Sequence, residues 1–242
     1  MSKFYITKKI NNKNIVDNLE NNKIVILKKI YKKSLCKKII NYLTNIGKNS
    51  LTSYHPIKIS APNHYRVNFE DERSFVKGFF HQFNFFPWNQ EQMDLFRIFE
   101  SSFVLKNRIN KLSDRSFFKP KDNTDCTIRL SFQFYPKGKG YLNMHNDPVD
   151  YHQKYLFMLA LSTKKKDFIK GGLKVEIDKK IINVDEKTET GDLVIFKANL
   201  KHGVDFIDKK SIYDPLSYDG RWMVIFSTNK LIDNNKIKNS SE

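Results

Sequence analysis

The stretch TIRLSFQFYPKGKGYLNMHND, residues 127–147, decides the fold that this sequence predicts. Apolar and polar side chains alternate from Thr127 to Tyr135, which is the two-residue period of a half-buried β-strand. Pro136 to Gly140 carry a turn signal, and Tyr141 to His145 then form the next predicted strand. We therefore expect two strands joined by a turn, the second of which ends at His145.

Short strand-like runs continue after this stretch at regular spacing. They lie at Tyr155–Leu161, Leu173–Ile177, Ile181–Val184, Leu193–Phe196, Gly203–Phe206 and Trp222–Ser227. Together with the first two strands they make about eight strands in roughly a hundred residues, which is the pattern of an antiparallel sandwich, jelly roll or barrel. Residues 127–229 are therefore predicted to form a β-rich core.

The first 126 residues predict a helical and irregular region that packs on this core and shapes a substrate pocket. The predicted elements are a strand at Ile24–Leu27, a helix from its N-cap Ser34 to about Asn45 with Gly47 past its end, an irregular stretch over 51–87 and a helix over about 89–111. The aromatic stretch 75–88 is expected either to pack in the core or to form a lid. Residues 230–242 are predicted to be a flexible tail on this single domain.

The chain of 242 residues carries a formal charge of +17 with a pI near 9.6. Of its 43 basic residues 36 are lysines, scattered in doublets rather than gathered in one stripe. The sequence is also crowded with Asn and Ile, so we interpret the charge as a compositional bias and do not expect a nucleic-acid substrate. A positive surface would still attract acidic small molecules.

No run of about 18 apolar residues is present, so no membrane span is predicted. The first thirty residues are too rich in Lys and Asn for a secretory signal. Cys36 and Cys126 lie far apart without metal-site spacing, and we expect them to be reduced, buried thiols. These features predict a cytoplasmic protein, and they do not set its oligomeric state.

Two imidazoles and one carboxylate can be assembled from this sequence. In an extended strand His145 and Asp147 point to the same side, and Pro148 then ends the strand. His202 follows a tight turn and a buried strand at Gly191–Phe196, so a short loop would bring it to the same end of the sheet. Two His and one carboxylate are the ligands of the facial triad that holds non-haem Fe(II) with open positions.

Arg221 is the second chemical signal. Its neighbours on the same strand face are Met223 and Ile225, so its guanidinium would lie in an apolar interior and needs an anion. The distal carboxylate of a dicarboxylic co-substrate would fit the arginine fork, and a structural ion pair with Asp219 is the alternative. His152, just after the predicted metal strand, is a further candidate for contact with a ligand or the substrate.

The order of five motifs resembles that of the Fe(II)- and 2-oxoglutarate-dependent oxygenases. They are Tyr135-Pro136-x-Gly138, His145-x-Asp147, Gly171-Gly172-Leu173, Gly191–Phe196 leading to His202-Gly203-Val204, and Gly220-Arg221. The likeness covers residues 127–229 well and the first half loosely. It implies a mainly β fold with an α-helical N-terminal part, in which a double-stranded β-helix (a jelly-roll, cupin-like barrel) is flanked by helices.

The resemblance also implies roles for single residues. His145, Asp147 and His202 would ligate Fe(II), Arg221 would bind the distal carboxylate of 2-oxoglutarate, and O2 would be the oxidant. The residues expected beside the co-substrate are Tyr135, Gln133 and Asn143. Asp147 stands where halogenating members have a small residue, which favours hydroxylation of an unactivated C–H bond with release of succinate and CO2. No second arginine follows Arg221, in contrast to the nucleic-acid demethylases.

Several alternatives stay open from the sequence. The leading expectation is a small or carrier-borne metabolite as substrate, and a protein side chain, as in prolyl hydroxylases, is the second. A cupin-like metal-binding barrel without 2-oxoglutarate would share the strands and histidines but would not need Arg221. Prolyl hydroxylases use Lys or Arg as the anchor, so Lys209 or Lys210 is an alternative to Arg221.

Overall fold

The computed structural model describes residues 2–70, 72–74, 76–119 and 125–231, which form a curled β-sheet with helices packed on one face. The helices are α1 Asn12–Glu20, α2 Lys33–Asn49, α3 Leu95–Ile98 and α4 Glu100–Ile109. The strands are β1 Phe4–Thr7, β2 Ile24–Leu27, β3 His64–Phe69, β4 Gly78–Phe85, β5 Cys126–Pro136, β6 Tyr141–His145, β7 Tyr155–Ala160, β8 Gly172–Ile177, β9 Lys180–Asn183, β10 Leu193–Lys197, β11 His202–Asp205 and β12 Gly220–Lys230.

Neighbouring strands follow the order β1-β2-β10-β7-β12-β5-β4-β6-β11-β8-β9, with β3 paired to β4. All eight strands predicted after residue 126 are present, as β5 to β12. The sheet curls so that β5, β7 and β12 face β6, β8 and β11 across a cavity. This is the jelly-roll arrangement of a double-stranded β-helix, and the predicted fold class is confirmed.

The two faces of β5 explain why the sheet forms where it does. Its apolar residues Ile128, Leu130, Phe132 and Phe134 are fully buried in a core shared with α1, α2 and α4. Burying a side chain of this size contributes about 1.5–3 kcal/mol. The alternate residues, Arg129, Ser131, Gln133 and Tyr135, line the cavity inside the curl. The strand is therefore held by one face and carries polar chemistry on the other.

In the described part of residues 1–126 the four helices are accompanied by four strands, β1 to β4, of which the sequence predicted only Ile24–Leu27, present as β2. β4 pairs with β3 on one edge and with β5 and β6 on the other, and all eight of its residues are buried. The prediction of an irregular stretch over 51–87 is therefore wrong, and β4 is a barrel strand rather than a lid. Gln82 and Asn84 of β4 line the cavity while Phe83 and Phe85 lie in the core, so the strand does alternate, but within an aromatic-rich stretch that resembles an irregular segment.

The first predicted helix, α2, begins and ends at other residues than predicted. α2 starts at Lys33 after Lys32, which makes no side-chain capping bond, so Ser34 is not the N-cap. Gly47 lies within α2, and a Cβ there would stand 2.2 Å from Tyr218 Oη. Glycine at this position therefore allows close packing against Tyr218 and does not end the helix. The position of α2 is set by its buried apolar face.

The second predicted helix is shorter than expected and is interrupted. Glu91 accepts backbone hydrogen bonds from Met93 and Leu95, and Asp94 has a left-handed φ of 53°. The segment before Leu95 is therefore a turn, and α3 and α4 are separated at Phe99, which is fully buried.

Cys36 and Cys126 are free and buried, as predicted, and burial raises the pKa of each thiol to about 11. Among the described residues no helix is long and apolar enough to cross a membrane. β12 continues through Lys230, and the rest of the predicted tail, residues 232–242, lies outside the described residues. The cytoplasmic location and the boundary at residue 126 stay predictions.

Candidate metal centre

Two paired strands bring the predicted histidines together. β6 ends at His145 and β11 begins at His202, and the two residues are direct partners in the antiparallel pair. Their ring centroids lie 4.3 Å apart. Asp147 follows β6, and its backbone N–H donates to the carbonyl of Ala198 at 3.1 Å, which fixes the chain just past the strand.

Each imidazole is oriented by its own backbone. His145 Nδ1 lies 2.9 Å from the carbonyl oxygen of Asn143, and His202 Nδ1 lies 2.8 Å from that of Leu200. A carbonyl oxygen can only accept, so Nδ1 carries the proton in both rings and Nε2 keeps its lone pair. This is the arrangement by which a metal-binding histidine is held in the correct tautomer.

The free ligand atoms converge on one point. His145 Nε2 is 3.4 Å from Asp147 Oδ1, and His202 Nε2 is 3.9 Å from Asp147 Oδ2. All three side chains offer a ligand atom within 4.8 Å of one another. Ligand atoms with metal bonds of roughly 2.1 Å are separated by about 3 Å or slightly more, so the three groups fit a single ion.

The charge states suit this donor set. Burial, with a smaller contribution from His145, lowers the pKa of His202 to about 4, so its ring is neutral at physiological pH. Burial opposes ionisation of Asp147, but the neighbouring imidazoles of His145 and His202 outweigh it and hold the carboxyl pKa below its usual value. A neutral imidazole and a carboxylate are the ligating forms of these groups.

Asn143 does not face the cavity, although strand alternation with His145 predicted that it would. The pairing of β6 with β11 shifts between His202 and Val204, so that β6 has one extra residue. A bulge of this kind reverses the alternation of side chains. Leu142 and His145 consequently line the cavity, and Asn143 is exposed.

Arg221 is buried in the barrel and forms an ion pair that the sequence did not predict. Its Nε donates to Asp185 Oδ2 at 2.6 Å and its Nη2 to Asp185 Oδ1 at 3.2 Å. Burial opposes both charges, but the pairing outweighs it, so the pKa of Arg221 is raised and that of Asp185 is lowered. The expected alternative partner, Asp219, is exposed instead.

The two predicted residues on β5 lie beside this pair. Tyr135 Oη donates to Gln133 Oε1 at 2.6 Å, and both side chains line the cavity. The guanidinium carbon of Arg221 stands 5.7 Å from the Tyr135 ring centroid. Arg221 Nη1 donates to the weak acceptor Met223 Sδ at 2.8 Å. Because Asp185 accepts from Nε and Nη2 and neutralises the cation, a 2-oxoglutarate carboxylate could meet Arg221 only through Nη1.

The remaining candidates lie outside the centre. Lys209 and Lys210 are exposed and do not replace Arg221. His152 contacts Tyr151 and lies 3.8 Å from Asp150, and it does not belong to the group that could hold a metal.

Sequence reasoning missed Asp185 and Arg129. Asp185 lies in a turn between β9 and β10 and carries no motif. Arg129 occupies an inward position of β5 and lines a cavity of about 750 Å³. The signal was present, because a charged residue on the polar face of a strand whose other face is core must point away from that core.

The sequence matches no protein-family model and no curated protein. Solved structures do match. A prolyl-4-hydroxylase of Pseudomonas putida has a TM-score of 0.55 at 15% identity, covering 89% of this chain and 96% of that one. T7H of Neurospora crassa, in complex with α-ketoglutarate and thymine, has a TM-score of 0.54 at 13% identity, covering 95% and 85%.

A prolyl hydroxylase of Trichoplax adhaerens, in complex with a peptide fragment of hypoxia inducible factor, has a TM-score of 0.53 at 13% identity, covering 88% of this chain and 86% of that one. At these identities the likeness concerns the fold. The chain therefore has the double-stranded β-helix fold of the Fe(II)- and 2-oxoglutarate-dependent oxygenases.

Proposed function

We propose that this protein is an Fe(II)- and 2-oxoglutarate-dependent dioxygenase that hydroxylates an unactivated C–H bond of a small or carrier-borne metabolite. Succinate and CO2 are the co-products. The observation that carries the proposal is the convergence of His145, Asp147 and His202, with both Nδ1 atoms tied to backbone carbonyls and both Nε2 atoms free.

The protein's own residues have separate tasks in this reaction. Bound Fe(II), together with 2-oxoglutarate and O2, would supply the oxidising power for insertion of an oxygen atom into a C–H bond. His145, Asp147 and His202 would hold the ion, and a set of three protein ligands leaves open positions for small ligands. Arg221 orients the distal carboxylate of 2-oxoglutarate through its Nη1 edge, beside the Tyr135–Gln133 pair. The apolar wall around Leu156, Met158 and Met223 keeps water from the reacting groups.

The size of the cavity supports a small substrate. Pockets for small molecules usually measure roughly 300–1,000 Å³, and the volume of about 750 Å³ lies in that range. Structural neighbours include a prolyl hydroxylase bound to a peptide and an enzyme bound to thymine, so a protein side chain is the second candidate.

Release of succinate tests the proposal. Wild-type protein with Fe(II), 2-oxoglutarate and O2 is expected to form succinate, and more of it when a correct metabolite or peptide is added. His145→Ala should abolish this release, because one of three metal ligands is lost. His152→Gln is the matched histidine control and should retain it.

Arg221→Ala separates the oxygenase from a cupin-like barrel. The oxygenase should lose turnover at moderate 2-oxoglutarate concentrations, whereas a barrel that does not use 2-oxoglutarate would keep its metal-dependent activity. No succinate from the wild-type protein with any substrate in the metabolite and peptide panels would contradict the proposal.

A further inference from the structure

The mouth of the cavity is rich in arginine. Arg66, Arg73 and Arg129 line it, and among the described lining residues Asp147 is the one carboxylate. The chain uses lysine for 36 of its 43 basic residues, yet every lysine or arginine among the described lining residues is an arginine. Arginine differs from lysine in presenting a planar fork that matches carboxylate and phosphoryl oxygens. The composition of this wall therefore points to an anion.

Arg129 has hydrogen-bonding capacity that the protein does not use. Its Nη1 donates to Asn84 Oδ1 at 3.3 Å, but no atom of the described residues accepts from its buried Nε. On the neighbouring strand β12, the buried Oδ1 of Asn229 has no donor among the described residues, and Asn229 lines the same cavity. Unpaired buried polar atoms cost about 1–3 kcal/mol each. An anion would accept from Arg129 Nε, whereas the Asn229 oxygen needs a donor on another part of the ligand.

The charge of Arg129 is not balanced by a partner. Among the described residues no carboxylate lies within ion-pair distance of it, and the oxygens of Asp147 face the two metal-binding histidines. Burial, and after it the neighbouring Arg66, lowers the pKa of Arg129 to about 9. The group remains a cation at neutral pH, in surroundings that disfavour its charge.

The position of Arg129 separates it from the 2-oxoglutarate end of the barrel. Arg221 pairs with Tyr135 in the β5–β12 ladder, and Arg129 pairs with Ser227, six residues further along. At 3.4 Å per residue the Cα atoms of the two arginines lie about 20 Å apart along the strands. Arg129 is therefore well separated from the Arg221–Asp185 pair and is available to a second anion.

Neighbouring residues hold this wall in place. Arg66 Nε donates to Gln82 Oε1 at 2.7 Å, and Gln82 Nε2 donates to Ser131 Oγ at 2.6 Å. Asn84, which accepts from Arg129, is itself 2.9 Å from His64 Nε2. The polar side chains of β3, β4 and β5 therefore form two hydrogen-bonded chains, Arg66–Gln82–Ser131 and Arg129–Asn84–His64, the second of which holds Arg129.

We propose that the substrate is an anion and that Arg129 binds its carboxylate or phosphoryl group at the mouth of the cavity, with the remainder of the molecule directed towards His145, Asp147 and His202. The assignment of this anion as substrate rests on the proposed function. Binding of the anion by Arg129 does not.

Calorimetric titration with matched probes tests this assignment. Protein loaded anaerobically with Fe(II) and saturating 2-oxoglutarate, which fills the Arg221 end, is titrated with 4-phenylbutanoate against 4-phenylbutanamide. A second arm compares phenyl phosphate with phenol. We expect one or both anions to bind at least about 10-fold more tightly than the neutral partner, in line with a charge-assisted hydrogen bond. The larger preference for the anion, in the carboxylate arm or the phosphate arm, identifies which acidic group the site binds.

Variants of Arg129 assign the preference to this side chain. Arg129→Gln should bring the anion and its neutral partner to within about twofold, and Arg129→Lys should keep part of the difference. Arg108 lies on α4 and forms an exposed ion pair with Asp114. Arg108→Gln should leave the preference for the anion unchanged. Thermal unfolding of each variant shows whether it is folded.

The absence of any anion preference in the wild-type protein, or a full preference in folded Arg129→Gln, would overturn the proposal. The wild-type comparison decides it even if the variant does not fold. If Fe(II) and 2-oxoglutarate fail to load, the proposed function fails, and the same titration of the apoprotein still tests Arg129.

Discussion

Arg221 and Asp185 make a bidentate contact in the barrel interior. Because Asp185 neutralises the guanidinium, this contact reduces the positive charge that a co-substrate would meet. Asp185 is itself held by the backbone N–H of Leu173 at 2.8 Å, and the Cβ of any side chain at Gly172 would fall 2.4 Å from its Oδ2. The carboxylate is therefore fixed, and a bound 2-oxoglutarate must share Arg221 with it.

Asp185→Asn leaves Arg221 buried without its counter-ion. We expect the free energy of unfolding to fall by about 3–5 kcal/mol, which is the usual cost of removing one partner of a buried ion pair. Saturating 2-oxoglutarate should restore more stability to Asp185→Asn than to wild type, because it becomes the main counter-ion of Arg221. Urea unfolding with and without the co-substrate measures both effects.

Glu186→Gln is the matched control, because Glu186 is the next residue and its ion pair with Lys164 lies at the surface. Its stability should stay close to that of the wild-type protein. An equal response of wild type and Asp185→Asn to 2-oxoglutarate would contradict the role given to Arg221.

The buried side chain of Lys106 should make the free energy of unfolding depend on pH. Its buried Nζ donates to the carbonyl of Phe226 at 2.8 Å and to Thr228 Oγ1 at 2.9 Å, and burial lowers its pKa to about 7. Unfolded lysine keeps its proton up to a pKa near 10.5. Between these values the unfolded chain binds more protons, so the contribution of Lys106 to stability rises with pH.

The free energy of unfolding of wild type relative to Lys106→Met should therefore increase from pH 7 to pH 9. The change is on the order of 2 kcal/mol, since one pKa unit corresponds to about 1.4 kcal/mol. Urea unfolding of both proteins at the two pH values measures it. Parallel pH profiles would show that Lys106 does not titrate in this window.

At the scale of elements, the pair β6–β11 carries two of the three metal ligands. Its bulge places His145 opposite His202, and Gly203 lies against β6 so closely that a Cβ would stand 2.7 Å from the Leu142 carbonyl oxygen and 2.9 Å from that of Asn143. This close backbone contact requires glycine at position 203, directly next to the candidate metal ligand His202.

Gly203→Ala should push β6 away from β11 and separate the two imidazoles. We expect Fe(II) affinity to fall by roughly 10- to 100-fold, as is usual when the supports of metal ligands are disturbed. Anaerobic metal titration measures the loss. Asp205→Ala, on the exposed end of β11 where Asp205 pairs with Lys174, should bind metal normally. Unchanged affinity in Gly203→Ala would contradict this account of the strand pair.

The strands that could be predicted from the sequence are those with clear alternation, such as β5, and short apolar runs between turn signals, such as β7 and β10. The turn between β5 and β6 follows from Pro136 and two glycines. β4 was missed because its alternation of core and cavity residues, Phe83 and Phe85 against Gln82 and Asn84, lies in an aromatic-rich stretch between prolines. The exposure of Asn143 could not be predicted either, since a one-residue bulge depends on pairing with a strand sixty residues away.

For the whole molecule, the order of strands and motifs was sufficient to predict the barrel and the convergence of His145, Asp147 and His202 into a group that could hold a metal ion. Contacts between distant residues were not predictable. Asp185 reaches Arg221 from 36 positions away, and Asn84 reaches Arg129 from 45. Neither partner carries a local pattern, so these contacts of Arg221 and Arg129 are visible only in the folded chain.

We propose above that His145, Asp147 and His202 hold Fe(II) together with 2-oxoglutarate. Anaerobic titration of the apoprotein with Fe(II) and 2-oxoglutarate tests this by the weak visible charge-transfer band of the chelated complex. The band should appear in wild type with one iron per chain and should be lost in His145→Ala. Absence of the band in the wild-type protein, or its persistence in His145→Ala, would contradict the claim.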